Sequence, residues 1–150
     1  MEAKMKKTVA VTRVVPQPME AMWKLIRSGA DIHRMLPGVI ESCRLEGSGA
    51  GARRYCGTKQ GMLEETILAV DDEARLFRYS VDRQSMLPTQ GYEGSLHVVD
   101  LGPHGTQVLW FATYELLDQR ADEAVREALR GMFTAAIGGM GALVASGEAP

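Results

Sequence analysis

Two β-rich runs, Tyr92–Leu101 (YEGSLHVVDL) and Thr106–Leu117 (TQVLWFATYELL), are joined by the turn Gly102-Pro103-His104-Gly105. After them Val125, Leu129, Met132, Phe133, Ala136, Met140, Leu143 and Val144 fall at helical three-and-four spacing. A helix over about residues 121–146 is roughly 39 Å long at 1.5 Å per residue, enough to cross a whole small sheet. Its apolar stripe needs a partner, and the only large one this chain supplies is a β-sheet. A sheet curled around such a helix encloses a hollow. The C-terminal third therefore predicts a cavity for a small apolar ligand.

Working outward, Thr8–Val15 alternates as a strand that Pro16 ends. Pro18 opens a helix at the first helical position, where its missing N–H costs nothing. Met19, Met22, Trp23 and Ile26 share one side of that helix, and Gly29 ends it. Asp31 reads as the N-cap of a second short helix, closed by Pro37-Gly38. Strands follow at Val39–Glu46, Ala52–Lys59, Met62–Val70 and Leu76–Asp82, with a glycine-rich turn at Gly47–Gly51 and another at Asp71-Asp72-Glu73. The element order is one strand, two short helices, six strands and one long helix. Strands joined by short turns are antiparallel neighbours, so the fold class is α+β.

At 150 residues and 16.4 kDa the chain has the size of a single domain, and it can bury a core without staples. A net charge of −2 offers no electrostatic footprint for nucleic acid. The basic start (Lys4, Lys6, Lys7) leads into a strand, not a signal-peptide core, and no run approaches the roughly 18 apolar residues of a membrane span. These features predict a cytoplasmic protein, monomer or homodimer, with no nucleic-acid partner. Cys43 and Cys56 lack zinc-site spacing, and a reducing compartment leaves them as thiols, small residues of the core. The three histidines stand at no metal-ligand spacing, and no phosphate loop is present, so neither a metal nor a cofactor is expected.

Strand alternation assigns faces. Tyr92, Gly94, Leu96 and Val98 share one; Val108, Trp110, Ala112 and Tyr114 another; Phe77, Tyr79 and Val81 a third. Val39, Glu41, Cys43 and Leu45 group together, as do Arg54, Cys56 and Thr58. In Met62–Val70 both faces carry apolar residues, so parity leaves Glu64 and Glu65 undecided.

The element order, Pro18-Met19-Glu20-Ala21-Met22-Trp23, Gly49-Ala50-Gly51-Ala52-Arg53-Arg54, Glu65 ahead of Val70-Asp71-Asp72-Glu73, Tyr79, Tyr92 and Thr106-Gln107-Val108-Leu109-Trp110 together resemble the START-like (SRPBCC) helix-grip superfamily. Within it the chain is most similar to bacterial polyketide cyclase/dehydrase-like proteins, over about residues 6–146. The resemblance implies a curved seven-stranded antiparallel sheet wrapped around the C-terminal helix and enclosing a hydrophobic pocket. It places Glu41, Arg54, Glu65, Tyr79, Tyr92, Trp110 and Tyr114 on the pocket side, choosing Glu65 over Glu64. Glu41 stands where the similar plant hormone receptors carry a lysine, and Thr58-Lys59-Gln60-Gly61 replaces their gating loop. A hormone-sensor role of that type is not expected.

Glu41, Arg54 and Glu65 are the chemically sharp candidates. An apolar pocket disfavours a carboxylate's charged form and tunes it towards acid–base work, whereas a neighbouring arginine opposes that. The plainer alternative is an internal ion pair. Cys56, Phe77, Tyr79, Tyr92, Trp110 and Tyr114 from the sheet, with Met132, Ala136 and Met140 from the helix, complete the expected ligand-binding set. Nine methionines are many for this length, and Met62, Met86, Met132 and Met140 are placed to border the cavity or its mouth. Gly131, Gly138, Gly139 and Gly141 each cost a helix about 1 kcal/mol relative to alanine. Close packing, room for a ligand, or a break near Gly138 are the three explanations. The expected function is binding of a small, largely hydrophobic molecule, aromatic and polyketide-like compounds included, as carrier or sensor. The alternative is a cyclase, dehydratase or aromatase in which Glu65, Arg54 or Tyr92 moves protons.

Overall fold

A computed structural model describes residues 5–150; Lys4 of the basic start lies outside the described residues. The chain runs β1 (Met5–Val15), α1 (Met19–Ser28), α2 (Ile32–Met35), β2 (Ile40–Glu46), β3 (Arg53–Thr58), β4 (Gly61–Asp71), β5 (Leu76–Arg83), β6 (Thr89–Asp100), β7 (Thr106–Leu116) and α3 (Asp122–Ser146). All seven strands form one antiparallel sheet in the order β1-β7-β6-β5-β4-β3-β2. Every pair is sequential except β1 with β7. The two short helices therefore carry the chain from one edge of the sheet to the other, and α3 returns across the inner face.

Local chemistry sets the ends of these elements. Pro18 takes the N-cap of α1, one residue earlier than its expected position, and Gly29 ends the helix at φ 68°, a left-handed conformation that glycine adopts without penalty. Asp31 is the N-cap residue of α2, but its carboxylate pairs with Arg34 instead of capping the backbone. Alternation holds along β6 and β7, where Tyr92, Gly94, Leu96, Val98, Val108, Trp110, Ala112 and Tyr114 are all buried.

Helix α3 is continuous through Gly138-Gly139, so the expected possibility of a break there is excluded. Its glycines divide into two kinds. A Cβ on Gly139 would stand 2.2 Å from the carbonyl oxygen of Met35, and one on Gly141 2.7 Å from Gln17 Oε1. These two let α2 and the end of β1 press against the helix. Gly131 and Gly138 are exposed with nothing within 4 Å. Nothing in the structure explains them.

By length and composition Gln119–Ser146 is apolar enough to cross a membrane, with a mean hydropathy of 1.4 over an 18-residue window. Counting consecutive apolar residues misses this. Val125, Leu129, Phe133, Ala136, Ile137, Met140 and Leu143 are buried along one stripe against the rest of the fold, as a core helix requires.

Two sequence expectations fail at β2. Cys43 and Cys56 are joined in a disulfide and are not free thiols. The turn between β2 and β3 runs through Ala52, so Glu46 pairs with Arg53 and Cys43 comes to stand directly opposite Cys56, with Cα atoms 4.1 Å apart. Glu41 is exposed and faces no cavity. A register shift between Ile40 and Ser42 interrupts the alternation that grouped it with Cys43 and Leu45.

Candidate functional site

Between the sheet, α2 and the first half of α3 lies a hollow of about 90 Å³. Its apolar wall comes from Ile32 of α2 and Leu36 at that helix's C-cap, Ile40, Leu63, Val81, and Leu129, Met132 and Phe133 of α3. Met86 and Leu87, in the loop between β5 and β6, also line it. Arg54, Glu65, Tyr79, Tyr92 and Trp110 supply the polar wall. A smaller hollow of about 20 Å³ lies behind it, lined by Ile26, Phe77, Leu96 and Met140 among others, and shares Arg54, Tyr79 and Trp110 as a partition.

The strand register explains why the polar groups meet. Arg54 pairs with Glu65, Glu65 with Val81, and Val81 with Tyr92, forming one row across β3, β4, β5 and β6. Register shifts lie beside Glu65 and beside Tyr92. Such bulges re-aim side chains near sites. In the next inward-facing row Tyr79 lies opposite Gly94, where a Cβ would fall 2.4 Å from the tyrosine ring. The glycine is what lets the phenol lie down across β6.

Arg54 and Glu65 are 5% and 4% exposed. Arg54 Nε donates to Glu65 Oε1 at 2.7 Å and its Nη1 to the carbonyl of Gly29 at 2.8 Å. The guanidinium also sits 5.7 Å from the Tyr79 ring centroid. Ion pair and backbone contact together satisfy charges that would be costly to bury alone. Trp110 Nε1 donates to the Tyr79 hydroxyl at 3.0 Å, and the Tyr79 and Tyr92 hydroxyls lie 3.0 Å apart. Burial pushes both phenols well above their usual value; the Glu65 charge adds to this for Tyr79, and the Tyr79 oxygen does so for Tyr92. Both remain proton donors throughout the physiological range. Opposite them, Phe133 stacks on Trp110 at 4.6 Å between centroids.

The β5–β6 loop is organised by Gln84, which also lines the hollow. Its Oε1 accepts from the backbone of Met86 and Leu87, while its Nε2 donates to the carbonyls of Leu87 and Thr89. Ser85 Oγ donates to the carbonyl of Gln60, tying this loop to the β3–β4 turn.

Of the residues expected at the site, Arg54, Glu65, Tyr79, Tyr92, Trp110 and Met132 line the main hollow. Phe77 and Met140 line only the smaller one. Cys56, Ala136 and Tyr114 are buried but line neither hollow. Cys56 is turned towards Cys43, and the Tyr114 ring stacks on the far side of Tyr92, its hydroxyl buried without a partner. Met62 is 52% exposed and lies outside the cavity wall. Sequence reasoning missed Ile32 and Leu36, whose four-residue spacing on a one-turn helix was the available signal. Loop 83–91 was expected beside the cavity, but Gln84 and Thr89 within it were not singled out, because no residue pattern marks them. Among the described residues no cluster of His, Cys, Asp or Glu is placed to hold a metal ion.

The family model described as polyketide cyclase / dehydrase and lipid transport matches residues 6–145. The chain belongs to this family. Its solved relatives in shape include a norcoclaurine synthase point mutant from Thalictrum flavum, TM-score 0.78 at 18% identity, covering 99% of this chain and 100% of that one. A Nitrosospira multiformis protein matches with TM-score 0.76 at 25% identity, over 92% of this chain and 96% of that one. The major latex-like protein 151 of Panax ginseng matches with TM-score 0.77 at 17% identity, over 92% and 97%. The shared architecture is the helix-grip fold of the SRPBCC superfamily. Among proteins of curated function, none matches the sequence.

Proposed function

We propose that the protein binds a small, largely apolar molecule in the hollow between sheet and α3, as a carrier or sensor. The observation that carries this reading is the composition of the wall. Apolar side chains surround one compact polar cluster, and such a lining holds a ligand by burial and orients it by a few hydrogen bonds. The described volume is below the roughly 150 Å³ of a cavity that accepts benzene, so a larger guest displaces Met86, Leu87 or Met132. Methionine is suited to that, because its unbranched chain repacks at little cost.

The same wall is compatible with a cyclase, dehydratase or aromatase, and the family description names polyketide cyclase and dehydrase beside lipid transport. Binding is favoured here because Arg54 and Glu65 neutralise each other, leaving no side chain with an unbalanced charge in the polar cluster. Native mass spectrometry of protein purified from its own host tests the reading. A co-purified small molecule, released on denaturation and unchanged on re-addition, is the expected result. A preparation that converts the added molecule to a product favours the enzyme. One that neither carries nor rebinds any apolar molecule refutes the proposal.

A further inference from the structure

The polar wall has a definite hydrogen-bonding balance, and that balance selects a ligand class. Trp110 Nε1, Tyr79 Oη and Tyr92 Oη bring three protons to the cluster but make only two hydrogen bonds among themselves. The indole can only donate, so Tyr79 Oη accepts from it. Whichever phenol donates to the other, one phenolic proton is left over, and both phenols line the hollow. Glu65 uses only Oε1, on Arg54; its Oε2 has no partner among the described residues and is not sealed from open space. Arg54 is spent on Glu65 and Gly29 through Nε and Nη1, with Nη2 left as a further donor.

We infer that the site takes a neutral hydroxy-carbonyl compound and excludes carboxylic acids; this rests on the ligand-binding reading above. A carbonyl oxygen of the guest accepts the leftover phenolic proton or an Nη2 hydrogen. A hydroxyl of the guest donates to Glu65 Oε2. The pair Arg54–Glu65 is already charge-balanced, at 6% and 5% side-chain exposure. An acid brings a second negative charge beside Glu65 with no second cation on the cavity wall, and an amine brings the converse imbalance. A buried unpaired charge is strongly disfavoured in such surroundings, and an unmatched donor or acceptor is disfavoured to a smaller degree.

The test is calorimetric titration at pH 7 with three ring probes of similar size and one uncharged, largely apolar dye that carries neither a carbonyl nor a hydroxyl. 4-Hydroxyacetophenone is expected to bind at least ten-fold tighter than 4-methylacetophenone, which lacks the donor, and at least ten-fold tighter than 4-hydroxybenzoate, which carries the charge. Equal affinity for the methyl compound, or equal or tighter binding of the benzoate, overturns the inference while leaving the hydrophobic pocket intact. If N-phenyl-1-naphthylamine fails to bind along with all three, the binding reading itself falls. Glu65→Gln supplies an independent check. It removes the opposing charge beside Arg54, so 4-hydroxybenzoate gains at least ten-fold in affinity and raises the variant's melting temperature. A folded variant that still rejects the benzoate contradicts the charge-balance argument. Should the variant not fold, the wild-type series decides alone.

Discussion

The two halves of α3 lie on the same sheet but meet it differently. The C-terminal half is clamped: Gly139 and Gly141 bring backbone into contact where no side chain fits, against Met35 on one side and Gln17 on the other. In the N-terminal half Leu129, Met132 and Phe133 line the hollow together with Arg54, Glu65, Tyr79 and Tyr92, and this half meets the sheet through side chains, Phe133 stacking on Trp110. One helix thus packs tightly at one end and roofs a hollow at the other. The lesson is that a cavity in a folded domain needs a rigid element whose position is fixed elsewhere.

Removing half of the charged pair attacks the hollow end most severely. Glu65→Ala strands Arg54 in the interior and is expected to cost about 3–5 kcal/mol. At roughly 2–4 °C per kcal/mol for a chain of this size, the melting temperature falls by about 10 °C, measured by calorimetry. Glu93→Ala, which breaks the exposed pair with Arg78, serves as the control, and a similar loss there would deny the hollow its special electrostatics. The edge beside the hollow is held by the disulfide. Replacing Cys43 and Cys56 by serine opens a loop of sequence separation 13 and should cost about 3 kcal/mol in urea unfolding. Reactive thiols in the native protein before any reductant is added would contradict that assignment.

The clamped end is tested by alanine in pairs. Gly139→Ala forces a methyl group into the Met35 carbonyl and should destabilise by about 1–3 kcal/mol. Gly138→Ala, one residue away but facing solvent, should stabilise by up to about 1 kcal/mol. Two changes of the same sign would mean that the helix is not held as described. The smallest effect at neutral pH belongs to the phenols. With folded-state values raised by burial, Tyr79 and Tyr92 keep their protons after the unfolded chain has begun to lose them near pH 10. The unfolded state then binds fewer protons, so their contribution is complete below that pH and fades as pH climbs above it. Tyr92→Phe should show a shallower alkaline loss of stability than the parent.

The architecture was largely legible because it rests on periodicities. The 3.6-residue stripe from Val125 to Val144 and the two-residue alternation of Tyr92–Val98 and Val108–Tyr114 leave few ways to pack, and the resemblance supplied the curvature. The site was legible only where strands were regular. Tyr79, Tyr92 and Trp110 keep the buried–exposed alternation of their strands even though a register shift lies beside Tyr92, whereas Glu41 was misplaced by a bulge that no local residue pattern marks. The disulfide escaped for a related reason: extending the Gly47–Gly51 turn by one residue moves every partner on β3, and glycine-rich turns do not announce their length. Gln84 was invisible because its role lies in four loop hydrogen bonds, not in a repeat. Of the four glycines in α3, only contact with elements distant in sequence separates the two that clamp from the two that do not.

The central claim, that ligands enter the hollow beneath α3, is tested most directly by the two indole N–H resonances of the ¹⁵N-labelled protein. Trp110 Nε1 bonds to Tyr79 at the cavity wall, and Trp23 Nε1 bonds to Asp72 on the outside of the fold. Titration with 4-hydroxyacetophenone should shift the Trp110 signal progressively and leave that of Trp23 in place. Saturable binding that moves the Trp23 signal, or neither, would contradict the account.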